Sequence, residues 1–268
     1  MKRLTWGRGG ALLAALALVG VAGCGNEGGE VDGISLVQAD KLTVCTHLPY
    51  KPFQFERDGE VVGFEKDILD LLANDLGVEQ EVVNLGAWEQ VTSGKAFDNE
   101  ACDIGMGAMT ITPERDKVLE ITEPYFEADQ VLVAKKGAGI DSLDGLSNDK
   151  IGVQTDTTGQ HYVSEQGLDP RRFDDLALQM NALKAGEIEA AVNDNGPVLD
   201  WLGNNPDYEV TKVFQTNESY GFPARDDANG KKLIDRLEKV ISKAKEDGTY
   251  TELHREWFGV APGESLTS

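Results

Sequence analysis

The sequence predicts an α/β protein whose chain is long enough for two lobes or domains. Three observations predict it. Short strand-like apolar runs alternate with segments of helical period, the pattern of parallel βαβ units. The alternation occurs twice, first from about residue 41 and again across roughly 131–216. Removal of an N-terminal leader from the 268 residues leaves 268 − 23 = 245, more than the roughly 100–200 of a typical single domain.

The leader comes first. Lys2, Arg3 and Arg8 form a basic start, residues 11–22 are an apolar run too short for a comfortable membrane span, and "VAGC" follows at 21–24. Small residues before a cysteine are the pattern of a bacterial lipoprotein signal. A thiol is what accepts the diacylglyceryl group, so Cys24 is the expected lipidation site, with palmitate among the expected acyl chains. A plain secretory signal with an incidental cysteine is the alternative. A lipidated chain is anchored to the outer face of the cell membrane and does not span it. The formal charge is −22, and the leader carries three basic and no acidic residues, so the mature charge is −22 − 3 = −25. Such a chain repels nucleic acid and anionic lipid, which excludes both as expected partners.

Along the mature chain, residues 24–40 are Gly- and acid-rich without periodicity and read as a flexible tether. "KLTVCT" is a strand, and "FQFERDGEVVGFE" is strand, Asp-Gly turn, strand. In "EKDILDLLANDLG", Ile68, Leu69, Leu71, Leu72 and Leu76 share a helical face, with Gly77 as the stop. "VEQEVVNL" is a strand, residues 88–95 read as helical, and "CDIGMGA" is a third main strand. "QVLVAKKG" opens the second unit. "KIGVQTDTTG" is a strand turning into a helix at 159–165; a helix follows at 176–186, then the strand "EAAVND", a helix at 197–202, and the strands "YEVTKV" and "YGFPAR". Residues 231–258 are two helices broken at Asp247-Gly248, with Leu233, Ile234, Leu237, Val240 and Ile241 on one face. Cys45 and Cys102 both lie on strand-like runs. Export permits a disulfide between them, and two buried free thiols are the alternative.

The stretches "KLTVCTHLPYKPFQF", "VGFEKDILDLLANDLG", "CDIGMGAMTITPERDKVLEITEPYF", "KIGVQTDTTG", "IEAAVNDNG", "YGFPARDD" and "EDGTYTELHREWFG" occur in this order from about residue 41 to 259. In this the chain resembles the extracellular solute-binding proteins of the polar amino-acid type, receptors of ABC importers. "MTITPER" together with the closing "DGTY…WFG" is the specific part. The resemblance implies the periplasmic-binding-protein fold: two α/β lobes, each a mostly parallel sheet flanked by helices, joined by two crossing strands. Lobe 1 would be 41–126 plus 222–260, lobe 2 would be 131–217, and the hinges would be "EADQ" (127–130) and "ESYG" (218–221), with 261–268 a tail. It also implies a monomer that captures a polar amino acid between its lobes and hands it to an importer permease, without cofactor or metal.

The residues fit that chemistry. A free amino acid needs a fork of donors for its carboxylate and an acid for its ammonium. Arg115, past the strand that ends at Ala108, offers a planar guanidinium, and Thr110 offers a hydroxyl and a backbone N–H. Thr157 and Thr158 stand where a strand becomes a helix, so backbone N–H groups can face an anion. Asp194 ends the strand "AAVND" and can take the ammonium. Bland readings stand beside these: Arg115 paired with Glu114 or Asp116 on a surface helix, Asp194 as the N-cap of the next helix, and the threonines as turn residues. By resemblance, Tyr50 and Trp88 flank the ligand's side chain, although core packing would also explain two aromatics. His47 stands where several relatives carry an acid, which argues against lysine or ornithine. Gln154 stands where some carry a lysine, and favours a neutral hydrogen-bonding partner. Glu89 could serve a basic side chain. The expected ligand is glutamine-like, with arginine or another polar amino acid next. An enzyme on the same fold, of the periplasmic dehydratase kind, and a sensor domain are the competing readings; no catalytic motif of the G-x-S-x-G or H-E-x-x-H kind is present.

Overall fold

Two five-stranded sheets organise the chain, and the polypeptide crosses between them twice. The computed structural model describes residues 28–264. The leader, Cys24, the start of the expected tether and the end of the tail (265–268) lie outside the described residues. In order, the elements are β1 (Gly29–Val31), β2 (Ile34–Leu36), β3 (Lys41–Thr46), β4 (Phe55–Arg57), β5 (Glu60–Val62), α1 (Phe64–Leu76), β6 (Glu79–Asn84), α2 (Glu89–Thr92), α3 (Lys95–Asp98), β7 (Ile104–Gly105), β8 (Leu119–Ile121), β9 (Phe126–Lys135), β10 (Ile151–Gln154), α4 (Thr158–Glu165), β11 (Arg171–Phe173), α5 (Leu176–Ala185), β12 (Ala190–Asp194), α6 (Asn195–Gly203), β13 (Tyr208–Tyr220), β14 (Pro223–Arg225), α7 (Ala228–Asp247) and α8 (Thr249–Phe258).

The first sheet has the order β6-β3-β7-β14-β8 and the second β11-β10-β12-β9-β13. In the first, β3 pairs in parallel with β6 and β7, while β14 runs antiparallel to β7 and β8. In the second, β10 is parallel to β11 and β12, while β9 is antiparallel to β12 and β13. Each sheet is therefore parallel where βαβ units build it and antiparallel where the returning chain closes it. Helices cover the parallel strands because those strands are apolar on both faces: five of the six residues of β3 and all of β10 and β12 are buried. α1 buries Ile68, Leu69, Leu72 and Leu76 against the first sheet and stops at Gly77, which adopts a left-handed φ of 71°.

β9 and β13 are the two crossing strands. They pair with each other from Phe126↔Tyr220 to Lys135↔Tyr208, with register shifts between Val210 and Lys212 and between Phe214 and Glu218. At the first-lobe end, Phe126 and Tyr220 stack 5.6 Å apart, and Phe53 meets both edge-on at 5.0 and 5.4 Å. The C-terminal helices return to the first lobe. α7 buries Leu233, Ile234, Leu237 and Ile241, α8 packs on α1, and Trp257 Nε1 donates to Asp67 Oδ2 at 2.7 Å.

The structure corrects the expected tether at 24–40. Residues 29–36 form the antiparallel hairpin of β1 and β2, which buries Ile34 and Leu36. Asn229 clamps it through both backbone groups of Ser35, at 2.8 and 2.9 Å, and Lys232 Nζ donates to Gly33 O at 2.8 Å. The folded unit thus begins before residue 41. Cys45 and Cys102 are joined in a disulfide with Cα atoms 5.6 Å apart. It ties β3 to the segment leading into β7. Among the described residues no helix is long and apolar enough to cross a membrane.

Candidate functional site

The site lies where strands from both sheets end, the usual place for ligands of open α/β sheets. β3, β7, β10 and β12 each deliver a loop to one cavity. It is small and partly open to solvent, and is lined by His47, Tyr50, Trp88, Gly107, Ala108, Thr110, Arg115, Gln154, Thr157, Thr158 and Asp194. Ten of the eleven residues that the sequence offers for the site line this one cavity, the exception being Glu89. Gly107 joins them, and its lack of a side chain has a plain cause: a Cβ there would meet the Trp88 ring at 2.4 Å. The next residue, Ala108, takes the left-handed φ of 49°. Its N–H is held by Glu65 Oε2 at 2.9 Å, and Tyr125 O–H donates to the other oxygen of the same carboxylate. Glu65 has no exposed surface, and burial pushes its carboxyl up to about 7.

Arg115 opens a short 3₁₀ turn and is half-buried. Its Nη1 donates to Thr110 O at 2.7 Å, and its Nη2 donates across the cleft to Asp156 O at 3.3 Å. It makes no ion pair with Glu114 or Asp116 among the described residues. A guanidinium has five N–H donors, so donors remain for a carboxylate. Burial pulls the group below its ordinary value, and the carboxylates of Asp194 and Glu218 act in the opposite sense.

Asp194 ends β12 and is 6% exposed. It occupies the N-cap position of α6, yet its side chain makes no cap hydrogen bond. The carboxylate points into the cleft, where Tyr220 O–H donates to Oδ2 at 2.5 Å, Tyr50 O–H lies 2.9 Å from the same oxygen, and Gln130 Nε2 donates to Oδ1. Burial, followed by the nearby charge of Glu218, pushes this carboxyl up to about 6. Thr157 is the N-cap of α4: its hydroxyl donates to Gln154 O at 2.8 Å and accepts from Gln160 N at 3.2 Å. That is the turn role, so Thr157 offers the cavity backbone rather than hydroxyl chemistry. Thr158 begins the helix.

The remaining lining is aromatic, amide and imidazole. Trp88 and Tyr50 are buried at 8% and 7% exposure. His47 Nδ1 lies 3.1 Å from Leu85 O. A carbonyl can only accept, so Nδ1 carries a proton and Nε2 of the neutral ring is an acceptor. That Nε2 and Gln154 Oε1 are both buried without a hydrogen-bond partner among the described residues. Glu89 does not reach the cavity; it pairs with Lys95 at 2.6 Å on the surface. The expectation that it could serve a basic side chain is corrected, because the short α2 turns it outward. Two residues that the sequence reading missed are Gln130 on β9 and Glu218 on β13, whose side chains meet Thr158 at 3.3 and 2.8 Å. Their polar character inside crossing strands was the available signal.

A two-lobed α/β fold, with a buried acid and a guanidinium facing one interlobe cavity, defines a solute-binding protein. The family model of the bacterial extracellular solute-binding proteins, family 3, matches residues 42–260, and the chain belongs to that family. A "Probable histidine-binding protein" of Neisseria gonorrhoeae is 30% identical over 267 residues, 95% of this chain and 96% of that protein. The ABC transporter glutamine-binding protein GlnH of Bacillus subtilis is 26% identical, over 95% of this chain and 97% of that protein. Among solved structures, an ancestral arginine-binding protein bound to glutamine is 32% identical, with a TM-score of 0.75 over 83% of this chain and 99% of that one.

Proposed function

We propose that the protein is an extracytoplasmic receptor that captures a polar L-amino acid between its lobes and delivers it to the permease of an ABC importer. The observation that carries this reading is the pairing of Arg115 from the first lobe with Asp194 from the second around one cavity. The ligand's carboxylate meets the free N–H groups of Arg115 and the backbone N–H groups at Thr110 and Thr158. Its ammonium meets Asp194. Both pairs are desolvated on closure, which makes each charge-assisted bond strong.

The side-chain end of the cavity selects a donor. His47 Nε2 and Gln154 Oε1 are acceptors that need one, since an unpaired buried polar group is costly. Among the described residues Asp194 is the one carboxylate that lines the cavity, and Glu89 is engaged by Lys95. A neutral amide side chain, as in glutamine, satisfies it without an unbalanced charge; arginine is the second choice. The cleft is a binding site rather than a catalytic one. Its imidazole is held by a backbone carbonyl, and its acid is arranged to receive a cation. Through Cys24 the chain is attached to the outer face of the membrane by lipid, as a monomer.

A thermal-shift screen of ligand-stripped protein against the common amino acids tests the reading. L-Glutamine at ~1,000 times its dissociation constant should add about 4 kcal/mol of stability. No shift with any amino acid would refute it.

A further inference from the structure

One carboxylate beside the cleft, outside the lining of the amino-acid cavity, is not used by that site. Glu218 lies on β13, the second crossing strand, and is half-buried. Its Oε2 accepts from Thr110 Oγ1 at 2.9 Å, from Thr158 Oγ1 at 2.8 Å and from Gln130 Nε2 at 3.2 Å. These donors come from three bodies. Thr110 follows β7 of the first lobe and bridges to Tyr220. Thr158 starts α4 of the second lobe, and Gln130 is on the other crossing strand. The two hydroxyl oxygens are 3.4 Å apart, so one oxygen atom of Glu218 gathers both lobes and the hinge.

A threonine hydroxyl has one proton and two lone pairs. A carboxylate is the stronger acceptor in reach, so both protons point at Glu218. Each hydroxyl is then left with lone pairs only: Gln130 Nε2 lies 3.3 Å from that of Thr158, and both threonines line the cavity. Two such oxygens favour a cation. Gln130 extends the arrangement to the ammonium end, since the same Nε2 also donates to Asp194 Oδ1. Separating the lobes must move Thr110 away from Thr158 and break at least one of the bonds to Glu218.

We propose that Glu218 is a positioning residue that couples closure to recognition: its carboxylate ties Thr110 of the first lobe to Thr158 of the second and turns both hydroxyls into acceptors for the ligand's ammonium. This rests on the reading of the cleft as an amino-acid site. The latch acts after the ligand has entered, so its loss raises the dissociation rate and leaves the association rate nearly unchanged. Glu218→Gln keeps the shape and an acceptor oxygen but loses the charge, and falls between wild type and Glu218→Ala.

Stopped-flow kinetics with L-glutamine, and with L-arginine as a second probe, test the proposal on full-length protein. Wild type, Glu218→Ala, Glu218→Gln, Thr158→Val and the double variant Glu218→Ala/Thr158→Val are compared, with thermal melts to establish that each is folded. The expected result is at least a tenfold faster dissociation for Glu218→Ala, with association within threefold. The Thr158→Val effect should be several times smaller in the Glu218→Ala background than in wild type, a coupling that general loosening of the fold would not produce. If Glu218→Ala fails to fold, Glu218→Gln carries the comparison, with dissociation at least threefold faster. Dissociation within threefold of wild type in Glu218→Ala, or additive effects in the cycle, overturns the latch. If Arg115→Ala abolishes binding while Glu218→Ala is silent, only the latch is wrong. If Arg115→Ala binds a probe as tightly as wild type does, the site reading falls and takes the latch with it.

Discussion

Asp194→Asn should move stability and affinity in opposite directions. In the ligand-free protein, burial and the charge of Glu218 raise the Asp194 carboxyl from 3.8 to about 6. A shift of ~2 units at about 1.4 kcal/mol each means that ionising Asp194 at pH 7 costs the fold roughly 3 kcal/mol. The folded-state value is raised, so the sign is fixed. The cost is absent below about pH 4, grows between about 4 and 6, and is complete above 6. Asparagine keeps the size and an acceptor for Tyr50 and Tyr220 but carries no charge, and its amide nitrogen meets Gln130 once that amide turns over to present Oε1, which has no other partner among the described residues. The ligand-free variant should therefore melt no lower than wild type at pH 7 and should lack this pH step. Affinity goes the other way, because the ligand's ammonium loses its buried partner. That costs ~2–5 kcal/mol, or roughly thirty- to several-thousand-fold. The same carboxyl makes wild-type binding pH-dependent. The ammonium requires the ionised form, so affinity should fall by up to about tenfold per pH unit below about 6, with one proton released on binding. Calorimetry with L-glutamine at pH 7 and 5, alongside melts of ligand-free protein, reads all of this. An Asn variant that binds within threefold of wild type, or a wild type with no loss of affinity at pH 5, would refute the reasoning.

Three further outcomes are expected. Cys24→Ala should release the protein from membranes or stall its processing; a variant still cleaved before residue 24 and equally membrane-bound would contradict the lipid anchor. Saturating ligand should reduce the radius of gyration measured by small-angle scattering, as the lobes close about 127–130 and 218–221, and an unchanged profile at confirmed saturation would count against those hinges. Replacing Cys45 and Cys102 by serine opens a 57-residue separation and should cost up to ~4 kcal/mol, lowering the melting temperature by about 8–16 °C; a loss under 2 °C would show that the cross-link contributes little.

Much of the fold was legible because its strands are apolar and its helices amphipathic. β3, α1, β10, β12, α7 and α8 lie within a few residues of their expected places, and the break at Gly248 is where the chain composition puts it. The cavity was legible for a related reason. Ligand groups sit at strand ends, so the polar residue just past an apolar run, such as Arg115 or Asp194, stands out. Other features left weaker traces. The β1–β2 hairpin has only Ile34 and Leu36 as buried apolar anchors inside a Gly- and acid-rich stretch, and its clamp, Asn229, lies 194 residues away. β8 and β11 are three-residue strands with no period to detect. Glu218 sits in a strand whose alternation looks like that of a surface strand, and only β9 running beside it turns its side chain toward Thr110 and Thr158. Glu89 read as a pocket residue because it follows Trp88, but the four-residue α2 sends neighbouring side chains to different faces.

The central claim is that the cavity between the lobes holds an amino acid by its two charged ends, and calorimetry of Arg115→Ala against wild type tests it most directly. Arg115 is half-buried at the cleft, and its hydrogen bonds go only to the carbonyls of Thr110 and Asp156, so the variant should fold. Titrated with L-glutamine at pH 7, it should bind at least thirtyfold more weakly than wild type, the loss of a buried charge partner at ~2 kcal/mol or more. L-Glutamine α-amide, which lacks the carboxylate, should bind both proteins about equally poorly. A variant that binds L-glutamine within threefold of wild type, a difference below 1 kcal/mol, would mean that Arg115 meets no ligand carboxylate, and the site assigned to this cleft would be wrong.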